Sequence, residues 1–309
     1  MASTIKSDEN EGGIISTAIK ISDLIDTKAV IDYIFERQNE DGGYTFCQQT
    51  DSSAQDTFYA IEILGVLDTN PRNVKKTITF LQGLQHQDGG FDSVKVAYYV
   101  LNALNRLGSA SAKPTHWLEQ SSTVLINGFA ISDTYIEVVS EIEDIHIVVE
   151  LLNALNLTIN PRLIIEQISR LQNNDGSFGS SKHSKIASAY HALATLKILK
   201  YNDVETIRRT LEWIRQCEAP SGGFVGEPDF LNTIFLEEIY FGTKALSILE
   251  EKPLHPQETL GLIAKFQNSN GGFRRSVFLG LSEFESTYQA LSSIETILRP
   301  YIFRKSLNN

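Results

Sequence analysis

The stretch Gln38–Tyr44 reads QNEDGGY, and Gln85–Phe91 repeats it as QHQDGGF. Met once, two glycines after an acidic or amide side chain mark only a helix end, where the backbone turns to positive φ. The stretch recurs. QNNDGSF occupies Gln172–Phe178, QNSNGGF occupies Gln267–Phe273, a looser QCEAPSGGF runs from Gln216 to Phe224, and a decayed NGF ends at Phe129. The closing aromatics, Tyr44, Phe91, Phe129, Phe178, Phe224 and Phe273, stand 38 to 49 residues apart. So steady a period implies one supersecondary unit used six times.

Each unit predicts two helices of different character. Before the glycines lies an amphipathic stretch. In RNVKKTITFLQGLQ, Val74, Ile78, Leu81 and Leu84 form one apolar stripe, while Lys75, Lys76 and Thr79 face elsewhere. Asn70-Pro71 and Asn160-Pro161 suit the turn that feeds such a helix. After the glycines come segments apolar nearly all round, as in Thr57–Leu67, Val96–Leu104 and Ala187–Leu199, which predict buried helices. Strict alternation of the two kinds implies two concentric layers with the buried set inside. An open stack needs end repeats with a polar outer face. Here the first and last motifs are among the best preserved and the third is the poorest, which favours a closed ring. Within the motif, Gln ends the outer helix, Asp or Asn with Gly makes the tight exit, and the aromatic packs on the neighbouring repeat. These residues are structural and carry no chemistry.

Composition sets the outer limits. With 309 residues and 42% hydrophobic content the chain can bury a large core. A net charge of −11 argues against nucleic acid as a partner. No run of about 18 apolar residues is present to span a membrane. The opening MASTIKSDENEGG lacks the apolar run of a signal peptide, so the cytoplasm is the expected compartment. Cys47 and Cys217 are far apart and read as reduced thiols. The expected organisation is a polar segment over 1–26, one toroid domain over 27–300 and a tail over 301–309.

The repeated QxxDGGF motif, followed by helices such as ESTYQALSSI at Glu285–Ile294, resembles the repeats of the prenyltransferase and terpenoid-cyclase superfamily. That resemblance covers about Lys28 to Pro300. It implies an all-α (α/α)6 toroid with a deep apolar funnel, and at this length a lone transferase-type ring. Fold does not settle activity. In transferase β subunits an isoprenoid diphosphate is the substrate and zinc activates the acceptor thiol, through an Asp-x-Cys opening the fifth inner helix and a His opening the sixth. Here those positions read Glu237-Glu238-Ile239 and Ser286, so zinc-dependent protein prenylation is not expected and no metal site is assigned. Magnesium stays open as a cofactor, and so does an α-type helical partner subunit.

The resemblance also implies sites. Lys185 falls where transferases place a diphosphate-binding His, and Lys182, Arg274 and Arg275 lie in loops entering inner helices, whose N-termini favour anions. Lys95 resembles an Arg of the transferases. Against this, the family's Arg and Lys after the fifth GGF are replaced by Glu227 and Phe230. Class II cyclases protonate an alkene with the central Asp of DxDD. Glu141-Ile142-Glu143-Asp144, at the start of the third inner helix, aligns on that run, so Glu143 would be the acid and Glu141 and Asp144 would tune it. Glu283-Phe284-Glu285 echoes the run at the sixth inner helix. The other reading is a charged helix start favoured by the dipole alone. Tyr59, Tyr98, Tyr190, Tyr240 and Tyr288, with Phe58, Tyr99 and Phe241, sit near inner-helix starts, where the family lines its funnel. His191 beside Tyr190 reads as a core histidine. The function expected is that of an isoprenoid-processing protein without the zinc centre. The alternatives are a non-catalytic toroid that binds a lipid or a protein, and a class II cyclase working through Glu143.

Overall fold

The structure, a computed structural model, describes residues 19–110, 114–126, 140–180, 183–228 and 234–306. Lys182, Phe230 and the third motif at Phe129 lie outside these residues. The outer layer consists of α1 (Thr27–Phe35), α3 (Val74–Gly83), α5 (Thr115–Ile126), α7 (Pro161–Arg170), α9 (Val204–Gln216) and α11 (Pro256–Ala264). The inner layer consists of α2 (Ala54–Val66), α4 (Val94–Arg106), α6 (Glu141–Ala154), α8 (Lys185–Ile198), α10 (Leu236–Ile248) and α12 (Phe284–Ser306). The last helix therefore continues past residue 300. Among the described residues the only β pairing is isolated bridges, most of them within the motif loops, such as Gln38 to Tyr44 and Gln267 to Phe273.

The helices start where capping chemistry dictates. Ser53, Ser93 and Ser184 accept a backbone N–H of the first turn of α2, α4 and α8, and Asp26, Asn73, Asn160 and Asp203 do the same for α1, α3, α7 and α9. Inner helices are buried on most faces, whereas α3 buries only Thr77 and Leu81 fully. Consecutive inner helices pack along their lengths, and α12 packs on α2 to close the ring. The exception is the sparse contact between α4 and α6, beside which a crevice of about 380 Å³ opens.

Each motif is a joint between repeats. Asp41, Asp88, Asp175 and Asn270 accept the N–H two residues on, which fixes the tight exit. The aromatics Tyr44, Phe91, Phe178, Phe224 and Phe273 are buried. The Phe224 ring lies where a side chain on Gly242 of α10 would otherwise stand. The glutamine does more than end a helix. Gln38 donates to the Gly42 carbonyl at 3.1 Å and to Thr77 Oγ1 on the next outer helix at 3.0 Å, and Gln172 reaches Thr210 Oγ1 at 3.1 Å. At the sixth joint Gln267 donates to the Asp26 carbonyl and accepts from the Asp26 N–H, both at 3.0 Å. The last repeat thus grips the first through its glutamine, as Gln38 and Gln172 grip the helices that follow them.

Gly271, at φ +91°, abuts α1 so closely that a Cβ would overlap the Ala29 carbonyl, whereas Gly89, at φ +86°, faces open space. Gly89→Ala should cost only the left-handed strain, about 1 kcal/mol, and Gly271→Ala more than about 3 kcal/mol, because the ring-closing contact must part as well. Urea unfolding of the two variants separates the effects. Equal losses would show that closure adds nothing to stability.

Candidate functional site

The inner helices place their first turns at one mouth of the ring, and their charges are distributed by helix. Acidic side chains occupy the first turns of α2 (Asp56), α6 (Glu141, Glu143, Asp144), α10 (Glu237, Glu238) and α12 (Glu285). Lysines open α4 (Lys95) and α8 (Lys185). Carboxylates suit these N-termini through the helix dipole.

The cations at the mouth are paired. Lys95 Nζ lies 3.0 Å from Glu143, Lys185 Nζ lies 3.3 Å from Glu227, and Arg275 forms a fork on Glu237 at 2.6 and 2.9 Å while its guanidinium covers the Phe235 ring. Arg274 turns into its own loop, where it donates to the carbonyls of Lys265, Ser276 and Val277 and to Asn268. The three described cations assigned to a diphosphate are thus each engaged by groups of the protein itself. Of the three carboxylates opening α6, only Glu143 lines the canal, and Glu141 is exposed.

The canal itself is narrow. Below the mouth lies a chamber of about 100 Å³, walled by all six inner helices through Phe58, Tyr59, Lys95, Tyr98, Tyr99, Glu143, His146, Ile147, Tyr190, His191, Tyr240, Phe241, Glu285, Tyr288 and Gln289. Nearer the C-termini of the inner helices lies a second chamber of about 350 Å³, which includes Glu150, Lys197, Lys244 and Ser247. Tyr98, Tyr190, Tyr240 and Tyr288 border both chambers. Their rings form a belt. Tyr240 stands 5.8 Å from Tyr288 and 6.2 Å from Tyr190, Tyr288 stands 5.5 Å from Tyr59, and Phe58 links Tyr98 to this chain at 5.8 Å. Tyr59, Tyr98, Tyr190, Tyr240 and Tyr288 all border the canal, and the last four stand where its two chambers meet.

Burial tunes the groups of the upper chamber. It pushes the Glu285 carboxyl up, against the opposing effects of a hydrogen bond from Tyr59 and the charge of Lys95. Gln55 and Gln289 also reach Glu285, each at 3.3 Å. Burial holds the His191 imidazole well below the ordinary range, so the ring is neutral, and its Nδ1 has no hydrogen-bond partner among the described residues. The His146 ring stands 5.2 Å away and contacts Glu150 and Thr195, each at 3.3 Å. An acid held toward its neutral form and a neutral base thus face one aromatic chamber.

Glu285 is legible in the sequence only as an echo of the acidic run on α6. The sharper signal is register: Lys95, Glu143, Glu237 and Glu285 each stand three residues before a ring near the axis, namely Tyr98, His146, Tyr240 and Tyr288, and so share its helix face. The donor set at the corner where transferases bind zinc does not fit that metal. Ile239 is buried in the core, Ser286 bonds to Glu283, and Glu237 is held by Arg275. Among the described residues no three His, Cys, Asp or Glu side chains gather as a metal site, and no helix is long and apolar enough to cross a membrane.

A family model for the prenyltransferase alpha-alpha toroid domain matches residues 14–97, 92–232 and 230–305. No curated protein matches the sequence significantly. Among solved structures, the protein geranylgeranyltransferase-I of Candida albicans complexed with GGPP is similar at a TM-score of 0.66 and 17% identity, over 88% of this chain and 91% of that one. A variant of the type II terpene cyclase MstE from Scytonema, in complex with geranylgeranyl dihydroxybenzoate, is similar at 0.56 and 12%, over 88% and 95%. A protein from Actinoplanes is similar at 0.56 and 14%, over 88% and 97%.

Rim burial makes a pH prediction. Glu238 accepts the Phe235 N–H at 3.0 Å, and burial pushes its carboxyl from 4.5 up to about 7. The folded state therefore holds the proton more tightly than the unfolded chain. Its favourable contribution is complete below pH 4.5 and is lost as pH rises through about 7. Since Glu238 is partly exposed, the loss should be on the order of 2 kcal/mol. Melting curves of wild type and Glu238→Gln, which keeps the cap, should diverge across that window in favour of the variant. Parallel curves would refute the assignment.

Proposed function

Because the chain belongs to the prenyltransferase alpha-alpha toroid family, we propose that its canal takes the end of an isoprenoid chain and that Glu285 protonates the terminal double bond there. The observation that carries this reading is the half-buried acid, its carboxyl pushed up by desolvation, in an aromatic chamber that also holds a neutral base. An apolar cavity of about 150 Å³ accepts a benzene ring, so a chamber of about 100 Å³ suits one branched prenyl end and not a folded polyprenyl chain. The rest of the chain lies toward the mouth. Paired cations among carboxylates suit a neutral head group better than a free diphosphate.

In the reaction, the Glu285 carboxyl gives its proton to the alkene and becomes a carboxylate. The tertiary cation that results is stabilised by the faces of Tyr59, Tyr98, Tyr240 and Tyr288. It then loses a neighbouring proton to the neutral His191 ring, and an isomerised alkene leaves. Solvent returns the proton to Glu285 and removes the one on His191. No metal or oxidant is consumed. Glu143 takes the part of fixing Lys95, with which it is paired at 3.0 Å.

A second reading is a non-catalytic binder, favoured by the replacement of the transferase zinc ligands by Ile239 and Ser286. Geranylgeraniol, its diphosphate and shorter homologues, incubated with the protein in D2O and analysed by mass spectrometry, decide between them. Deuterium in a recovered or rearranged alkene is expected, with Glu285→Gln about 100-fold slower or worse and binding kept. Binding without deuterium uptake would establish the second reading, and full activity in Glu285→Gln would remove that residue from the chemistry.

A further inference from the structure

The loop from the sixth motif to α12 carries an apolar tip. Phe278, Leu279 and Leu281 are 79%, 85% and 78% exposed. Other exposed large apolar side chains, such as Val204 and Leu254, stand alone, which is ordinary for a protein surface. The tip is not a loose strand of chain. Arg274 pins one base of the loop through the carbonyls of Ser276 and Val277. The other base is pinned at Ser282, whose carbonyl accepts from Tyr33 at 2.9 Å and whose hydroxyl bonds to Asn268 and Asn270. Anchored at both ends, the loop holds three large apolar side chains out into water.

We propose that this tip inserts into the surface of a lipid bilayer and seats the canal mouth against it. Three considerations select a bilayer as the occupant. The tip is three side chains, while a stable protein interface takes roughly 20–30 residues a side; a small wedge suits insertion to the level of the headgroups. Its place is the mouth: Leu281 is followed four residues later by Glu285, which walls the upper chamber. In the first repeat, next in the ring because α12 packs on α2, the corresponding loop carries Phe46, 40% exposed. The charges nearby add no net attraction to anionic lipid, since Arg275 is neutralised by Glu237, the loop sets Glu283 against Arg274, and the chain carries −11 overall. The lipid recognised is therefore neutral or zwitterionic. That the membrane also supplies the ligand rests on the isoprenoid reading; the insertion itself does not.

The test uses the full chain and vesicles of phosphatidylcholine, alone and mixed with phosphatidylglycerol, without any isoprenoid. Wild type should co-sediment with the neutral vesicles and stay bound at raised salt. The triple variant F278S/L279S/L281S should bind at least roughly tenfold more weakly with an unchanged melting curve, because none of the three side chains is buried in the fold. Absence of vesicle binding, binding only to the anionic mixture with loss in salt, or undiminished binding by the triple variant would each overturn the proposal. So would a dimer or a captured helical partner subunit that the triple variant abolishes while vesicles remain unbound. Vesicle binding by a protein that takes up no isoprenoid would leave the insertion standing and remove the functional reading.

Discussion

Everything in this toroid depends on the joint between the end of one outer helix and the start of the next, bridged by a motif glutamine at Gln38, Gln172 and Gln267. A helical hairpin of this kind cannot bury its inner helix alone, so its stability is borrowed from its neighbours. Each joint contributes hydrogen bonds worth only about 0.5–1.5 kcal/mol net. Its larger effect is geometric. By holding successive outer helices in a fixed orientation it sets the turn per repeat, and the sixth step brings Gln267 back to Asp26. Once the ring is closed the inner helices are enclosed, apart from the crevice beside α4 and α6, and their axis-facing residues must share one narrow space.

That space explains the electrostatics. Six helix N-termini meet at one mouth, which is a favourable place for negative charge. The chain fills it with its own carboxylates, and then ties Lys95, Lys185 and Arg275 to them. Deeper in, the same crowding acts through desolvation. Glu285 is pushed toward its neutral form and His191 is kept from protonating, although neither has an unusual covalent neighbour.

The ring was legible in the sequence because the period of the motif is a property of neighbouring residues, and because the contrast between the helices around Val74–Leu84 and Thr57–Leu67 survives in single segments. The role of the glutamine was not legible, since its partners, Thr77 for Gln38 and Asp26 for Gln267, belong to other repeats. The candidate site was legible in part. Its tyrosines follow from their position on the inner helices, but how narrow a canal they leave depends on the ring's diameter, which no local pattern reports. The lysines and arginines were assigned by resemblance to positions at the mouth. Their carboxylate partners, 38 to 48 residues away, become visible only once helices are placed side by side.

The grip of Gln267 on Asp26 has one more consequence. Where the final unit holds the initial one as firmly as any other pair, the circle has no privileged starting point, and the peptide's own order becomes a matter of bookkeeping. The backbone could be cut at an exposed connection elsewhere and its old ends tethered, and the same enclosure should still assemble. The thinly packed boundary between α4 and α6 is the natural place for such a cut.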